Sequence, residues 1–250
     1  HPEDFYVEQW AHVLRQAVAR QARPPFPLGV LLTGGLDSRS LLGMLHQDAA
    51  GVVALTFGVP DCDDLRIARE VAGLLGVPHT YVPMDPAYLA QWGSRGVQIT
   101  DGMKSCVHFN LLGPLAQLVQ KARVLYKGFL GGTLQGHVVR PDRLAPLRSE
   151  DALALVFSAR NHPFPAGEWT QLYTAEMWDQ VQSLPRQALQ DALARSQSDW
   201  SVDKDSYIDL YQEDVRFTLL GVELARSQAL VRVPMADQDY IRFSVSVPPG

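Results

Sequence analysis

Hydrophobic positions in the first half of the chain follow two spacings in turn. Residues 3–22 place Phe5, Trp10, Val13, Leu14, Ala17 and Val18 at the three-and-four spacing of one helix face, and Arg23-Pro24-Pro25 ends that helix. Leu28-Gly29-Val30-Leu31-Leu32 is apolar without alternation, as in a strand covered on both faces. Thr33-Gly34-Gly35 follows, then a helix predicted from about Asp37 to Gln47. Val52–Phe57 reads as a second buried strand, Asp61–Gly76 as a helix with Pro78 beyond its end, and His79–Pro83 as a short strand. Met103–Lys121 reads as helical despite Pro114. Val124–Tyr126 is a further strand, ahead of the glycine-rich run Gly128–Gly136.

Strands alternating with helices, each strand continuously apolar, predict a parallel sheet with helices on both faces. Beyond about residue 145 the strand-like runs stop. Helical spacing takes over at Ala152–Ala159, Ala188–Ser196 and Tyr207–Leu230, interrupted by Pro163, Pro165 and Gly167. The expectation is an α/β nucleotide-binding region over residues 1–145 and a helical region over 146–250, together one structural unit. No internal repeat is present.

Composition supports this and removes other classes. Over 250 residues, 46% are hydrophobic and 20% charged, which is ordinary globular usage. No uncharged apolar run reaches the ~18 residues of a membrane helix; Ser105–Gln120 is broken by Asn110, Gly113 and Pro114. Lys and Arg number 22 against 27 Asp and Glu, and no basic run occurs, so charge does not argue for a nucleic-acid partner. Cys62 and Cys106 are far apart and outside any CxxC, which fits a reducing, cytoplasmic setting. The chain opens on His1-Pro2 rather than Met, as a piece of a longer protein would.

The chemistry concentrates after the first strand. In open parallel sheets ligands bind beyond the carboxyl ends of the strands. Here that turn is Leu32-Thr33-Gly34-Gly35-Leu36-Asp37-Ser38. Two glycines admit a phosphate close to the backbone, the helix start offers free N–H groups, and Thr33 and Ser38 add hydroxyls. The Gly-Lys-Ser/Thr ending of a Walker loop and the GxGxxG of a dinucleotide loop are both absent. Asp37 beside phosphates implies a divalent cation between them, or else a plain helix cap.

The string Val30-Leu-Leu-Thr-Gly-Gly-Leu-Asp-Ser38 resembles the SGGLDS pyrophosphate loop of the ATP-pyrophosphatase superfamily, and specifically asparagine synthetase-type domains. Thr33 stands where that motif usually has Ser. The resemblance continues through Leu55-Thr-Phe-Gly58, Asp64-x-x-x-Ala68, Leu75-Gly-Val-Pro-His79, Asp101-Gly-Met103, and Val231-Arg-Val-Pro-Met-Ala-Asp237 with Val247-Pro248. It covers most of residues 5–248 and is weakest from 140 to 200. It implies a Rossmann-like five-stranded parallel sheet of the adenine nucleotide alpha hydrolase type, with a C-terminal helical region. It also implies ATP with Mg²⁺, adenylation of a substrate carboxylate, and amide formation when an amine displaces AMP. Carried over by position, Thr33, Gly34, Gly35, Asp37 and Ser38 hold pyrophosphate and metal, Asp37 being the metal ligand and catalytic residue. Leu31, Leu32, Phe57 and Gly58 border adenine and ribose, and Gly128 belongs to the second phosphate loop.

Three departures accompany the resemblance. Arg39 follows Ser38 where a small hydroxyl residue is usual, as in divergent asparagine synthase-related proteins of biosynthetic clusters; it either reaches a phosphate or sits solvated. The second loop, Lys127-Gly-Phe-Leu-Gly-Gly-Thr133, has Gly131-Gly132 where the family supplies acid, and the pair also reads as a tight turn. The lysine expected beyond the Leu-Pro stretch and the N-terminal glutaminase domain lie outside this chain, so the ammonia source is expected elsewhere.

Other constellations are weaker. Asp61-Cys-Asp-Asp64 is expected to be a capped helix start at Asp63 or Asp64 rather than a metal site. The seven histidines show no zinc spacing. Glu213, Asp214, Arg216, Glu223 and Arg226 have the spacing of surface ion pairs, although Asp214 and Glu223 lie on a helix resembling the acyl-substrate wall. Trp10, Trp92, Trp169, Trp178 and Trp200 read as packing. Two functions follow: an ATP-dependent, AMP-forming amide ligase acting on a small-molecule or peptide carboxylate, or a catalytically impaired nucleotide-binding relative serving as an interaction or regulatory module. The first is supported by the intact Thr33–Ser38 loop, the second by Gly131-Gly132.

Overall fold

The computed structural model describes residues 2–23, 27–48, 51–135, 172–198 and 201–247. The apolar runs form strands β1 (Leu28–Leu31), β2 (Val52–Gly58), β3 (His79–Pro83) and β4 (Val124–Tyr126), joined late in the chain by β5 (Leu230–Arg232). All five pair in parallel, in the order β3-β2-β1-β4-β5. Leu28 lies opposite Val52 on one side and Val124 on the other. Every residue of β1 and β4 is buried, as central strands covered on both faces require. Within β1, Gly29 is obligatory. A Cβ there would lie 2.6 Å from Leu55 Cδ1 and 2.9 Å from Ala122 Cβ.

The covering helices follow the hydrophobic spacing. Helix α1 (Glu3–Gln21) buries Leu14, Ala17 and Val18, and α2 (Leu36–Asp48) buries Leu41, Leu42 and Leu45. Helix α3 (Asp63–Leu74) buries Leu65, Ala68 and Ala72. Helix α4 (Tyr88–Thr100) has no counterpart in the sequence reading. The stretch Met103–Lys121, read as one helix, is a 3-10 turn over Cys106–Leu111 followed by α5 (Leu112–Leu118). Pro114 lies in the first turn of α5, where its missing N–H and fixed φ are tolerated, so it marks a start rather than an interruption. Leu111, Leu115 and Leu118 then pack with Leu31, Leu55, Val82 and Leu125 as one side of the core. Helix α6 (Gly131–Gln135) leaves the loop after β4.

Residues up to 135 and from 214 onward form one compact unit, and 136–213 belong to a second. In the second, helices α7 (Ala175–Val181), α8 (Leu184–Arg195) and α9 (Ser201–Ile208) include a small core of Ala192, Leu193 and Ile208. The predicted helix Ala188–Ser196 falls largely within α8. The predicted helix Ala152–Ala159, and Pro163, Pro165, Gly167, Trp169, Trp200 and Pro248, lie outside the described residues.

Tyr207–Leu230, read as one helix, is the end of α9, a π-helical stretch Asp209–Thr218, α10 (Leu220–Arg226) and the first residue of β5. The wider π turn shifts the phase of the 3.6-residue stripe, so one period cannot run through it. Helix α11 (Gln238–Ser244) follows β5.

Candidate functional site

Strand order locates the site. From β1 the chain moves outward to β2 and β3, then returns to place β4 on the other side of β1. The loops leaving β1 and β4 therefore diverge at their carboxyl ends, which is where such sheets open a crevice. The first loop leads through Thr33-Gly34-Gly35 into α2, the second through Lys127–Leu130 into α6.

The two loops are in contact through glycines. A Cβ on Gly128 would stand 2.7 Å from Asp37 Cβ and 3.1 Å from Ser38 N, and one on Gly131 would be 2.5 Å from the carboxylate atoms of Asp37. Gly128, a candidate of the second phosphate loop, lies against the first loop. Gly131, read as a tight turn in place of an acid, is where bare backbone passes directly over Asp37. Just before it Leu130 adopts φ 74°, a left-handed conformation that is strained for a residue with a Cβ.

The first loop is braced by its own hydroxyls. The Thr33 amide donates to Ser38 Oγ at 3.1 Å, the two hydroxyl oxygens are 3.2 Å apart, and the Gly35 amide donates to Thr33 Oγ1 at 3.2 Å. The Gly34 amide donates to Asp64 Oδ1 at 2.7 Å. Asp64 thus spends its carboxylate on the loop rather than on capping α3, which has Cys62 at its N-cap and no side-chain cap. Asp63 pairs with Arg66 at 3.0 Å. The expectation of a cap from Asp63 or Asp64 is corrected accordingly. The first-turn amides of Leu36, Asp37 and Ser38 take no hydrogen bond among the described residues, so donors and the positive end of the helix dipole remain for an anion. Arg39 turns back, its Nε donating to the Gly35 carbonyl at 3.3 Å.

Asp37 is half-buried and accepts no hydrogen bond among the described residues. Burial pushes its carboxyl above the ordinary carboxylate value, so a neighbouring cation would be welcomed. Among the described residues no three His, Cys, Asp or Glu side chains gather as a metal cage. Free amides at a helix start beside an unpaired carboxylate suit an anion such as a phosphate, with room in their chemistry for a divalent cation between the two.

Beneath the loop, Leu31 and Leu32 are buried in the core. The Leu32 carbonyl accepts from Thr56 Oγ1 at 2.8 Å, and Thr56 in turn meets His79 Nε2 at 2.9 Å. Thr56 has given its only hydrogen to Leu32, so the imidazole must donate through Nε2–H. Phe57 packs on the core, and Gly58, at φ 155°, offers its carbonyl to Tyr81 Oη at 2.9 Å and to the Met84 amide at 2.8 Å. The sequence reading missed the Thr56–His79 pair because each is a single residue in a strand, without periodic signal.

Also missed was a pair of lysines, although a cation directly after a buried strand is itself a signal. Lys127 follows β4 and donates from Nζ to the Gly221 carbonyl of α10 at 3.0 Å. Lys104 is buried, donates to the Phe217 carbonyl at 3.1 Å, and holds its ammonium 4.2 Å above the Phe217 ring. Burial, then repulsion from Lys104, brings Lys127 down to about 8. Of the acyl-side candidates, Asp214 is buried with Oδ2 unpartnered among the described residues, whereas Glu223 pairs with Arg226 at 2.9 Å near the surface. The Glu213 side chain lies outside the described set. Trp10 and Trp92 pack as expected, Trp10 donating to Ser244 Oγ at 2.8 Å and Trp92 lying against Gly113.

Comparison with known proteins gives three results. The family described as asparagine synthase matches residues 9–250. Among curated proteins nothing matches. Among solved structures, the crystal structure of a "predicted subunit of tRNA methyltransferase" from Methanocaldococcus jannaschii is similar at 19% identity and a TM-score of 0.30. That match covers 52% of this chain and 62% of the other, so the chain spans about three fifths of its length. No described helix is long and apolar enough to cross a membrane.

Proposed function

The chain belongs to the asparagine synthase family, and on that premise we propose that it is an ATP-dependent, AMP-forming amide ligase. A substrate carboxylate oxygen bonds to the α-phosphorus of ATP as pyrophosphate leaves. An amine nitrogen then bonds to the acyl carbon as AMP leaves, and the amine's proton passes to solvent. The acyl donor is a small-molecule or peptide carboxylate, and the acceptor is ammonia or an amine. Two free thiols, Cys62 and Cys106, suit a cytoplasmic setting.

The observation that carries this reading is the start of α2, where free amides of Leu36, Asp37 and Ser38 adjoin an unpaired, half-buried carboxylate. The amides and the Thr33 and Ser38 hydroxyls would hold phosphate oxygens, and such preorganised donors supply much of the stabilisation in acyl and phosphoryl transfer. Asp37 would hold Mg²⁺, which supplies charge neutralisation on the phosphates. Leu31, Leu32, Phe57 and Gly58 would border adenine and ribose, and Gly128 would keep the second loop close.

Calorimetry with a non-hydrolysable ATP analogue tests this. Asp37→Ala should weaken binding mainly when Mg²⁺ is present, and Gly35→Val should weaken it in both conditions. Binding by Gly35→Val equal to that of the unaltered chain would overturn the site. The second reading, nucleotide binding without amide formation, rests on Gly131 lying against Asp37 with no added carboxylate. Pyrophosphate release that depends on a carboxylate substrate would decide for the ligase.

A further inference from the structure

Lys104 and Lys127 reach the same place from different parts of the chain. Lys104 comes from the segment before the 3-10 turn, Lys127 from the carboxyl end of β4, and both meet Gly221 of α10. A Cβ on Gly221 would stand 3.2 Å from Lys127 Nζ and 3.9 Å from Lys104 Nζ, so both ammonium groups close on the bare backbone of one residue.

Each ammonium has three hydrogens to donate, and each is given one main-chain acceptor, Phe217 O for Lys104 and Gly221 O for Lys127. Among the described residues neither meets a carboxylate. A further base is close by: the His108 ring lies 5.9 Å from that of Phe217, and burial first, then both lysines, push it toward neutrality. Buried charges are ordinarily paired, because desolvation is costly without a counter-charge. Here two cations converge with hydrogens to spare. The next residue after Lys127, Gly128, lies directly on Asp37 and Ser38 of the nucleotide loop.

We propose that Lys104 and Lys127 form an oxyanion receptor beside that loop, taking a carboxylate or phosphoryl group of a bound ligand between their ammonium groups. This does not depend on the ligase reading, and its test requires no turnover. A purely structural role, in which the lysines only tie α10 and the π-helical stretch to the sheet, makes the opposite prediction for stability.

The test measures binding of disodium succinate, sodium pyrophosphate and ATP-Mg²⁺ by calorimetry, together with thermal unfolding without ligand, for the unaltered chain, Lys127→Met, Lys127→Arg and Lys104→Met. The receptor predicts that Lys127→Met and Lys104→Met each weaken at least one anion by tenfold or more, that Lys127→Arg largely retains it, and that neither Met variant melts lower without ligand. Loss confined to succinate assigns the receptor to a carboxylate; loss with pyrophosphate or ATP assigns it to a phosphoryl group. If Lys127→Met does not fold, the structural role holds for that residue and the proposal fails. It fails equally if affinities for all three probes are unchanged in both Met variants, or if the unaltered chain binds none of them.

Discussion

His79 holds its proton on Nε2 to serve Thr56, and burial, with Arg69 adding to it, lowers its pKa below the ordinary 6.5. The unfolded chain therefore takes up a proton, as pH falls through 6.5, that the folded chain refuses until lower pH. Stability present above 6.5 is lost on acidification through that window. His79→Gln keeps an N–H donor without titrating, so its melting temperature should fall less steeply than that of the unaltered chain between neutral and mildly acidic pH. Parallel slopes would remove His79 from the account. At Gly131, Ala should force the Asp37 carboxylate aside and weaken Mg²⁺-dependent ATP binding, whereas unchanged binding would show that the carboxylate can move freely. The Thr33–Ser38 loop was legible in the sequence because six consecutive residues carry it. His79, Lys104 and Lys127 were not, because their roles arise from what folding brings against them.

Among elements, legibility tracked the side chain that each buries. Helix α3 buries Leu65, Ala68 and Ala72 and was read within two residues at each end. Helix α4 fully buries only Gly96 and Thr100, and the side chains it packs on Phe109, Leu112 and Leu224, those of Tyr88, Trp92 and Ile99, are partly covered. Gly96 is there because the Phe109 ring rests on its backbone. By contrast Gly43, within α2, has nothing within 4 Å of a Cβ, so Gly43→Ala should raise stability by about 0.5–1 kcal/mol, measurable by urea denaturation. At α11, Asp237 accepts from the Asp239 amide at 3.0 Å and pairs with Arg20 of α1 at 2.5 Å. Asp237→Ala should cost about 1 kcal/mol, mostly from the lost cap, since exposed ion pairs contribute little. A loss that vanishes in high salt would instead assign the stability to the pair.

For the whole molecule, the first unit is assembled from two segments, with residues 136–213 between them. The four strands up to Tyr126 were legible as buried apolar runs. The fifth, Leu230–Arg232, is three residues with no buried position, and only the resemblance over Val231–Asp237 marked that stretch. Yet it fastens the sheet. The Tyr126 hydroxyl donates to the Gln21 carbonyl at 2.6 Å and accepts from Arg232 at 3.3 Å, joining α1, β4 and β5. A chain cut after residue 213 should therefore lose cooperative thermal unfolding, and a sharp transition in that truncation would show that the first segment folds alone.

The late position of β5 also has a consequence on the ribosome. When Val124–Tyr126 emerges, its outer partner has yet to be made, and residues 127–229 must be translated first. At ordinary elongation rates of ~5–20 residues per second that interval is roughly 5–20 s. Throughout it β4 presents an open parallel edge, the kind of surface that pairs with other nascent chains. Slowed translation between these two strands should raise the insoluble fraction of the newly made protein, while the finished fold, with β5 in place, carries no such edge at β4.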